Sequence, residues 1–228
     1  MIQMVKLVRR RKEFSLQDFR AWWTEEIGSR VARLGGLERY VLSPAIEEDP
    51  AATYHGISQM GFSSEESARQ FLASPAYREV LALEAKGLDT TASTEFMTWA
   101  HLITETVPLR RDSQLVMKAW AFKRKPGMSV ENFQDYYLNH HTRYSLLLPG
   151  QRVYFQLHTH KSAYVGKEPP FDGVTMTWYD DQKALARMLG SVEFARGVAD
   201  GQLFLDFDQF TSVTAENHRL IWGESALK

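Results

Sequence analysis

From Ser129 to His160 the chain writes two hydrophobic periods in succession. Phe133, Tyr136, Tyr137, His140, His141, Tyr144, Leu147 and Leu148 recur at three- and four-residue spacing, which gathers them on one broad helical face. Ser129 is the expected N-cap, with Asn132 three residues on and Glu131 near the positive helix end; Leu148-Pro149-Gly150 stops the helix. The next segment alternates as a strand, with Val153, Phe155 and Leu157 pointing one way and Tyr154, Gln156, His158 and His160 the other. The apolar side requires a helix layer. The polar side, carrying ring nitrogens, a phenol and an amide, suits the lining of a pocket.

The same alternation of strands and helices covers the whole chain. Residues 4–10 read as a strand. Ser15-Leu16-Gln17-Asp18 opens a helix with Phe19, Trp22, Trp23, Ile27, Val31 and Leu34 along its face, and Gly35-Gly36 ends it. Tyr40-Val41-Leu42 is a strand, Ser43 to Ala52 a loop, and Tyr54–Phe62 a second strand. Ser63-Ser64-Glu65-Glu66 caps a helix running to about Lys86, and Thr94–Thr106 contains a last strand.

From Leu115 the order begins again. An offset of 114 places Ser15 on Ser129, Phe19 on Phe133, Trp22 on Tyr136, Trp23 on Tyr137, Leu34 on Leu148, Gly36 on Gly150 and Tyr40 on Tyr154. After a longer loop the offset becomes 117, pairing Gly56 with Gly173, Ser74 with Ser191, Tyr77 with Phe194 and Asp89 with Asp206. Such a long period means duplicated domains and not a solenoid. The expected organisation is a repeat at 1–106, a linker at 107–114 that holds Val107–Asp112, and a second repeat at 115–228. Each repeat reads β-α-β-β-α-β, the ferredoxin-like arrangement, with helices on one face of an antiparallel sheet. Two such sheets can cover their bare faces by packing on each other as an α+β barrel with a lined interior. The fold class is therefore α+β.

Composition narrows the chemistry. The 228 residues contain no cysteine, which removes disulfides, thiolate nucleophiles and Cys-ligated metal sites. The formal net charge is −1, giving no reason to expect nucleic acid or an acidic membrane as partner. The basic run Arg9-Arg10-Arg11-Lys12 reads as a solvated strand end. The N-terminus lacks a signal-peptide apolar core and no window nears a membrane span, so a cytoplasmic location is expected. Four of the seven histidines fall within Ser129–His160.

Both repeats resemble the EthD family of the dimeric α+β-barrel superfamily. The resemblance rests on Tyr136-Tyr137, His141, Leu148-Pro149-Gly150, Tyr154, Asp172-Gly173-Val174 leading into Met176–Tyr179, Ser191–Phe194 and Asp206. It implies a barrel closed within one chain, where single-copy members dimerise. It also implies His141 as the motif histidine. The first repeat has Ile27 at that position and Gly35 at the proline slot, so it reads as the degenerate copy. The family's functions include isomerases, polyketide cyclases, dehydratases, cofactor-free monooxygenases and, more distantly, haem proteins. EthD itself is named from ether degradation, as an accessory to an oxygenase system.

His141 is the candidate general acid/base, with Tyr154 and Asp206 as its catalytic partners. His158, His140, Tyr137, Tyr144 and Trp178 are the candidate substrate-binding residues. His140 is adjacent to His141 and about 100° round the helix, so one of the two faces the cavity. Asp206 could orient a histidine or serve as a turn residue. His158 and His160 share a strand face, but no clustered carboxylate completes a metal site, and no metal or other cofactor is expected. The leading function is proton-transfer catalysis on a small hydrophobic, aromatic or polyketide-like molecule. A non-catalytic accessory protein and a haem or cofactor-free oxidoreductase are the alternatives. The expected partners are that small molecule and, at most, a second copy of the tandem chain.

Overall fold

The structure is a computed structural model describing residues 1–47, 53–109, 113–216 and 218–222. Repeat 1 contains β1 (Ile2–Val8), α1 (Leu16–Trp22), the π-helical turn π1 (Trp23–Gly28), α2 (Ser29–Ala32), β2 (Arg39–Pro44), β3 (Gly56–Phe62), α3 (Glu65–Ala73), α4 (Pro75–Glu84) and β4 (Thr94–Glu105). Repeat 2 follows with β5 (Val116–Arg124), α5 (Val130–Asp135), π2 (Tyr136–His141), α6 (Thr142–Ser145), β6 (Val153–Thr159), β7 (Gly173–Tyr179), α7 (Gln182–Leu189), α8 (Val192–Gly201), β8 (Leu205–Ala215) and β9 (His218–Trp222).

Local signals recur at the expected offsets. Ser15 and Ser129 each cap a helix by accepting a backbone N–H three residues on, at 3.0 and 3.2 Å. Ser74 and Ser191 do the same for α4 and α8. Each cap contributes on the order of 1 kcal/mol. Gly36 and Gly150 adopt φ of +98° and +73° just past the helix ends, a conformation that penalises any Cβ.

The strands form one antiparallel sheet in the order β8-β5-β7-β6-β4-β1-β3-β2-β9. Its two ends belong to adjacent stretches of chain. β8 pairs with β5, β9 pairs with β2, and between them Ala215 bridges Ala45 while the Ile46 N–H donates to the Thr214 carbonyl at 3.1 Å. The sheet therefore closes into a barrel with helices outside. β4 makes the matching connection on the other side, bonding β1 through Thr94–Trp99 and β6 through Thr98–Glu105. Each repeat thus pairs its C-terminal segment, β4 or β9, with a strand of the other.

The barrel interior is mostly apolar. Val5, Leu7, Ile57 and Phe96 from repeat 1 meet Ala119, Phe155, Leu157, Met176 and Trp178 from repeat 2 in one buried cluster. This corrects the face assignment of β6. Phe155 and Leu157 point into the barrel, while Tyr154, Gln156 and His158 lie beneath the helices of repeat 2, where Gln156 donates to the Tyr137 carbonyl at 3.0 Å.

Three further differences have local causes. The helix expected up to Lys86 is broken at Ser74-Pro75, because Ser74 is extended and caps a new helix. β9 was not anticipated, since its pairing partner lies in the other repeat. The first strand begins two residues earlier than expected. Of the linker, Leu109 is buried and its N–H bonds Glu105 Oε1 at 3.0 Å, while Arg110–Asp112 lie outside the described residues, as do Glu48–Ala52 of the β2–β3 loop. No helix among the described residues is long and apolar enough to cross a membrane.

Candidate functional site

The second repeat holds a pocket between its helices and its sheet. Trp120 and Phe122 from β5 form its floor, and Phe194, Gly197, Val198 and Gly201 from α8 form one wall. His141, Ser145 and Leu148 close the other side, and Phe207 and Phe210 stand at the solvent-exposed mouth. The pocket encloses about 80 Å³, room for about five waters or one six-membered ring.

His141 reaches this pocket from the last residue of π2. Its Nδ1 lies 2.8 Å from Asp200 Oδ2, and Tyr136 donates its hydroxyl to Asp200 Oδ1 at 2.9 Å. Asp200 is in the last turn of α8, where the negative helix end gives a carboxylate no support, so it relies on these two donors. A carboxylate on Nδ1 requires Nδ1–H there, which leaves the lone pair of the neutral ring on Nε2. Burial lowers the His141 pKa and Asp200 partly offsets the shift. The ring is neutral at pH 7 and can accept a proton.

The other expected residues separate into distinct places. Tyr137 is buried, lines the pocket and shares a hydrogen bond with Thr175 Oγ1 at 2.6 Å. Tyr154 lies behind the lining, accepting from Gln156 Nε2 at 2.6 Å, with burial pushing its phenol up to about 12. His158 is deeper still, stacked on Tyr137 at 4.9 Å and bonded to Gln156 Oε1 at 3.1 Å, with burial pulling its pKa down to about 3. Neither Tyr154 nor His158 borders the pocket. His140 points outward, stacked on Tyr136 at 5.1 Å. Tyr144 packs its ring 6.4 Å from His141 with Arg143 over its face, outside the pocket lining. Trp178 is inside the barrel against Phe155 and cannot meet a ligand in this pocket.

Asp206 opens β8 and accepts bonds from the Asp208 N–H and Gln209 within its own turn. It does not contact His141, whose carboxylate partner is Asp200. The paired signal for Asp200 was present in the duplication: at the two offsets, Ile27 matches His141 and Leu83 matches Asp200. Two apolar positions of repeat 1 are a histidine and an aspartate in repeat 2. His160 caps the short helix Lys161–Tyr164 through Ser162, so its ring and that of His158 have different partners.

In repeat 1 the matching space is filled. Val31, Val80 and Glu84 occupy the positions of Ser145, Gly197 and Gly201, and Ile27 is fully buried. Trp22 packs so closely on Gly87, the position matching Phe204, that an added Cβ would lie 2.3 Å from its ring. A haem does not fit the pocket in repeat 2. His141, backed by a carboxylate, has the donor chemistry of an axial ligand, but Phe204 covers its ring at 4.9 Å and the space admits a single ring and not a macrocycle.

Residues 125–208 match the model of the EthD domain, a span that holds His141, Asp200 and Asp206. No curated protein matches the sequence. Among solved structures, an anthrone oxidase-like protein superposes with a TM-score of 0.72 at 12% identity, over 99% of this chain and 95% of its own. A candidate monooxygenase from Lactobacillus acidophilus NCFM gives 0.56 at 12% identity, over 97% and 96% of the two chains. A candidate chlorite dismutase gives 0.56 at 12% identity, over 95% and 94%. Likeness at this identity speaks for the fold alone. Within the second repeat, residues 125–208 thus match the EthD domain model, in a chain that shares the overall fold of these three structures.

Proposed function

We propose that the second repeat is an acid–base active site for a small hydrophobic molecule, aromatic or polyketide-like, and that it works without a resident cofactor. The observation that carries this reading is the His141–Asp200 pair on the wall of a largely apolar pocket. His141 Nε2 takes a proton from a carbon conjugated with a carbonyl, either directly beside it or across an aromatic ring. The C–H electron pair moves into the ring system and leaves negative charge on the carbonyl oxygen as an enolate. Asp200 and Tyr136 hold the imidazolium that forms, in the manner of a carboxylate that orients a base. Return of the proton to another carbon is an isomerisation. Its delivery to a departing hydroxyl is a dehydration, and attack of the carbanion on a second carbonyl is a cyclisation. An oxidative outcome, as the names of two structural neighbours suggest for those proteins, would need dioxygen as co-substrate for the same carbanion.

The tricyclic ketone anthrone, taken from the name of one neighbour, is a practical probe. One edge ring fits the pocket and the remainder rests on Phe207 and Phe210. In deuterated buffer the protein is expected to accelerate exchange of the central methylene hydrogens, and His141→Ala to abolish the acceleration while binding survives. Binding of anthrone and of simple aryl ketones with no exchange above buffer would favour the accessory, ligand-holding reading.

A further inference from the structure

The pocket is not apolar throughout, and its inner end carries hydroxyls that the acid–base reading does not use. Tyr137, Thr175 and Ser145 all line it. Tyr137 is fully buried and Ser145 nearly so, whereas Phe207 at the other end is 42% exposed. The hydroxyls therefore lie at the closed end. Tyr137 and Thr175 are 2.6 Å apart, oxygen to oxygen. Tyr154 stands behind them within reach of Ser145, Gln156, Tyr137 and Thr175.

Hydrogen counting shows what this cluster can offer. Each hydroxyl has one hydrogen to give and two lone pairs to receive. The Tyr137–Thr175 contact consumes one hydrogen and the contact of Tyr137 with Tyr154 a second, so the three hydroxyls together keep one hydrogen to donate and several lone pairs to receive. Tyr154 already accepts from Gln156 Nε2 at 2.6 Å, which frees its hydrogen for the cluster in front. The Tyr137 ring is held by His158 stacked on one side and the edge of Phe122 at 5.3 Å on another. Its hydroxyl is fixed before any ligand arrives.

The fold itself does not need these groups. Repeat 1 builds the same helix-on-sheet layer with Trp23, Val31 and Leu42 in the positions of Tyr137, Ser145 and Gln156. Thr175 matches Ser58 and Tyr154 matches Tyr40, so the hydroxyls particular to the repeat that has the pocket are those of Tyr137 and Ser145.

We propose that the closed end of the pocket recognises an oxygen substituent on the ligand ring, a phenolic hydroxyl or a ring carbonyl, through Tyr137, Thr175 and Ser145. This rests on the reading of the pocket as a ligand site. It adds a substrate class: rings that bear oxygen, inserted oxygen first, with the remainder of the molecule toward Phe207 and Phe210. A carbonyl oxygen bound there would also receive donors as enolate charge develops on it.

The test compares 1-naphthol with 1-methylnaphthalene, which differ by a hydroxyl and a methyl of similar size, using the fluorescence of Trp120 in the pocket floor. The intact chain is expected to bind the naphthol at least about tenfold more tightly, the equivalent of about 1.4 kcal/mol for one or two retained hydrogen bonds. Thr175→Val with Tyr137→Phe should reduce that preference to near unity by weakening naphthol binding; unfolding curves verify that the variant folds. Equal affinity of the two compounds for the unmodified chain overturns the oxygen site while leaving the pocket intact. Failure of both to bind overturns the pocket reading itself.

Discussion

His141 Nδ1 lies 2.8 Å from Asp200 Oδ2, and the two residues that match them in the first repeat, Ile27 and Leu83, are both apolar. A buried imidazole and a buried carboxylate are each costly alone, so the pair is useful to the fold only as a pair. Asp200 raises the His141 pKa against the lowering caused by burial. In Asp200→Asn the burial remains and the raising charge is gone, so the His141 pKa should fall further. An NMR titration of its ring proton reads this, and an unchanged or higher value would count against the pairing. Proton-transfer activity should fall by about 10²–10⁴, the usual worth of a positioned acid or base.

The two histidines beneath π2 predict how stability depends on pH. His158 is pulled down to about 3 by burial and by neighbouring His101, which is itself lowered by burial and by the chain's terminal amine. Gln156 and Tyr137 are the other groups packed on His158. Both histidines fold neutral, so the unfolded chain binds more protons below about pH 6.5 and stability falls as the pH drops from there toward 3. For His158 the effect could reach roughly 4 kcal/mol across that window. Urea midpoints at pH 8 and pH 5 should differ clearly in the parent and less in His158→Asn. Parallel curves for the two would show that His158 does not drive the loss.

What the sequence made legible was repetition and termination. The serine caps, the glycines after the helices and the aromatic pairs all recur at one of two offsets, because each depends only on local geometry. His141 was legible for the same reason, from its place in a motif. Asp206 and Trp178 were misplaced because nothing local distinguishes a turn carboxylate from one aimed at a histidine, or a barrel-facing tryptophan from a pocket-facing one. The side of β6 that faces the helices was inverted, since the rule that apolar residues face helices assumes a bare outer face exposed to water. Here the bare faces meet each other and form the apolar interior of the barrel. The π2 turn, beneath which Gln156 donates to the Tyr137 carbonyl, has no periodic signature in the chain. Asp206→Ala should accordingly leave the His141 titration unchanged, while Asp200→Asn shifts it.

Gly197 predicts a separation between stability and binding. A Cβ built on it meets nothing within 4 Å, because it faces the pocket, and repeat 1 has Val80 at this position. Gly197→Val should fold at least as stably as the parent, since a glycine inside a helix costs about 0.5–1 kcal/mol relative to alanine. The added isopropyl group would fill much of the pocket. The expected result is an unchanged or higher melting temperature with loss of naphthol binding. Retained binding would place the ligand elsewhere.

The first repeat predicts what holds a filled site together. Lys6 lies at the position of Trp120 and pairs with Glu84, which stands at the position of Gly201, and both side chains are buried. Burial raises the Glu84 pKa while Lys6 draws it down, and Glu95 faces the same ammonium at 3.8 Å. Lys6→Met removes the cation and leaves Glu84 uncompensated beside Glu95, a change expected to cost about 3–5 kcal/mol. Adding Glu84→Leu removes the stranded charge and fills its space with carbon. The double variant should recover most of the loss, because a buried ion pair is often no better than an apolar pair of similar volume. Urea unfolding of the single and double variants measures both steps. A mild effect of Lys6→Met alone would mean that Glu84 is already protonated in the fold, and a double variant no more stable than the single one would mean that the pair has a specific packing role that carbon cannot replace.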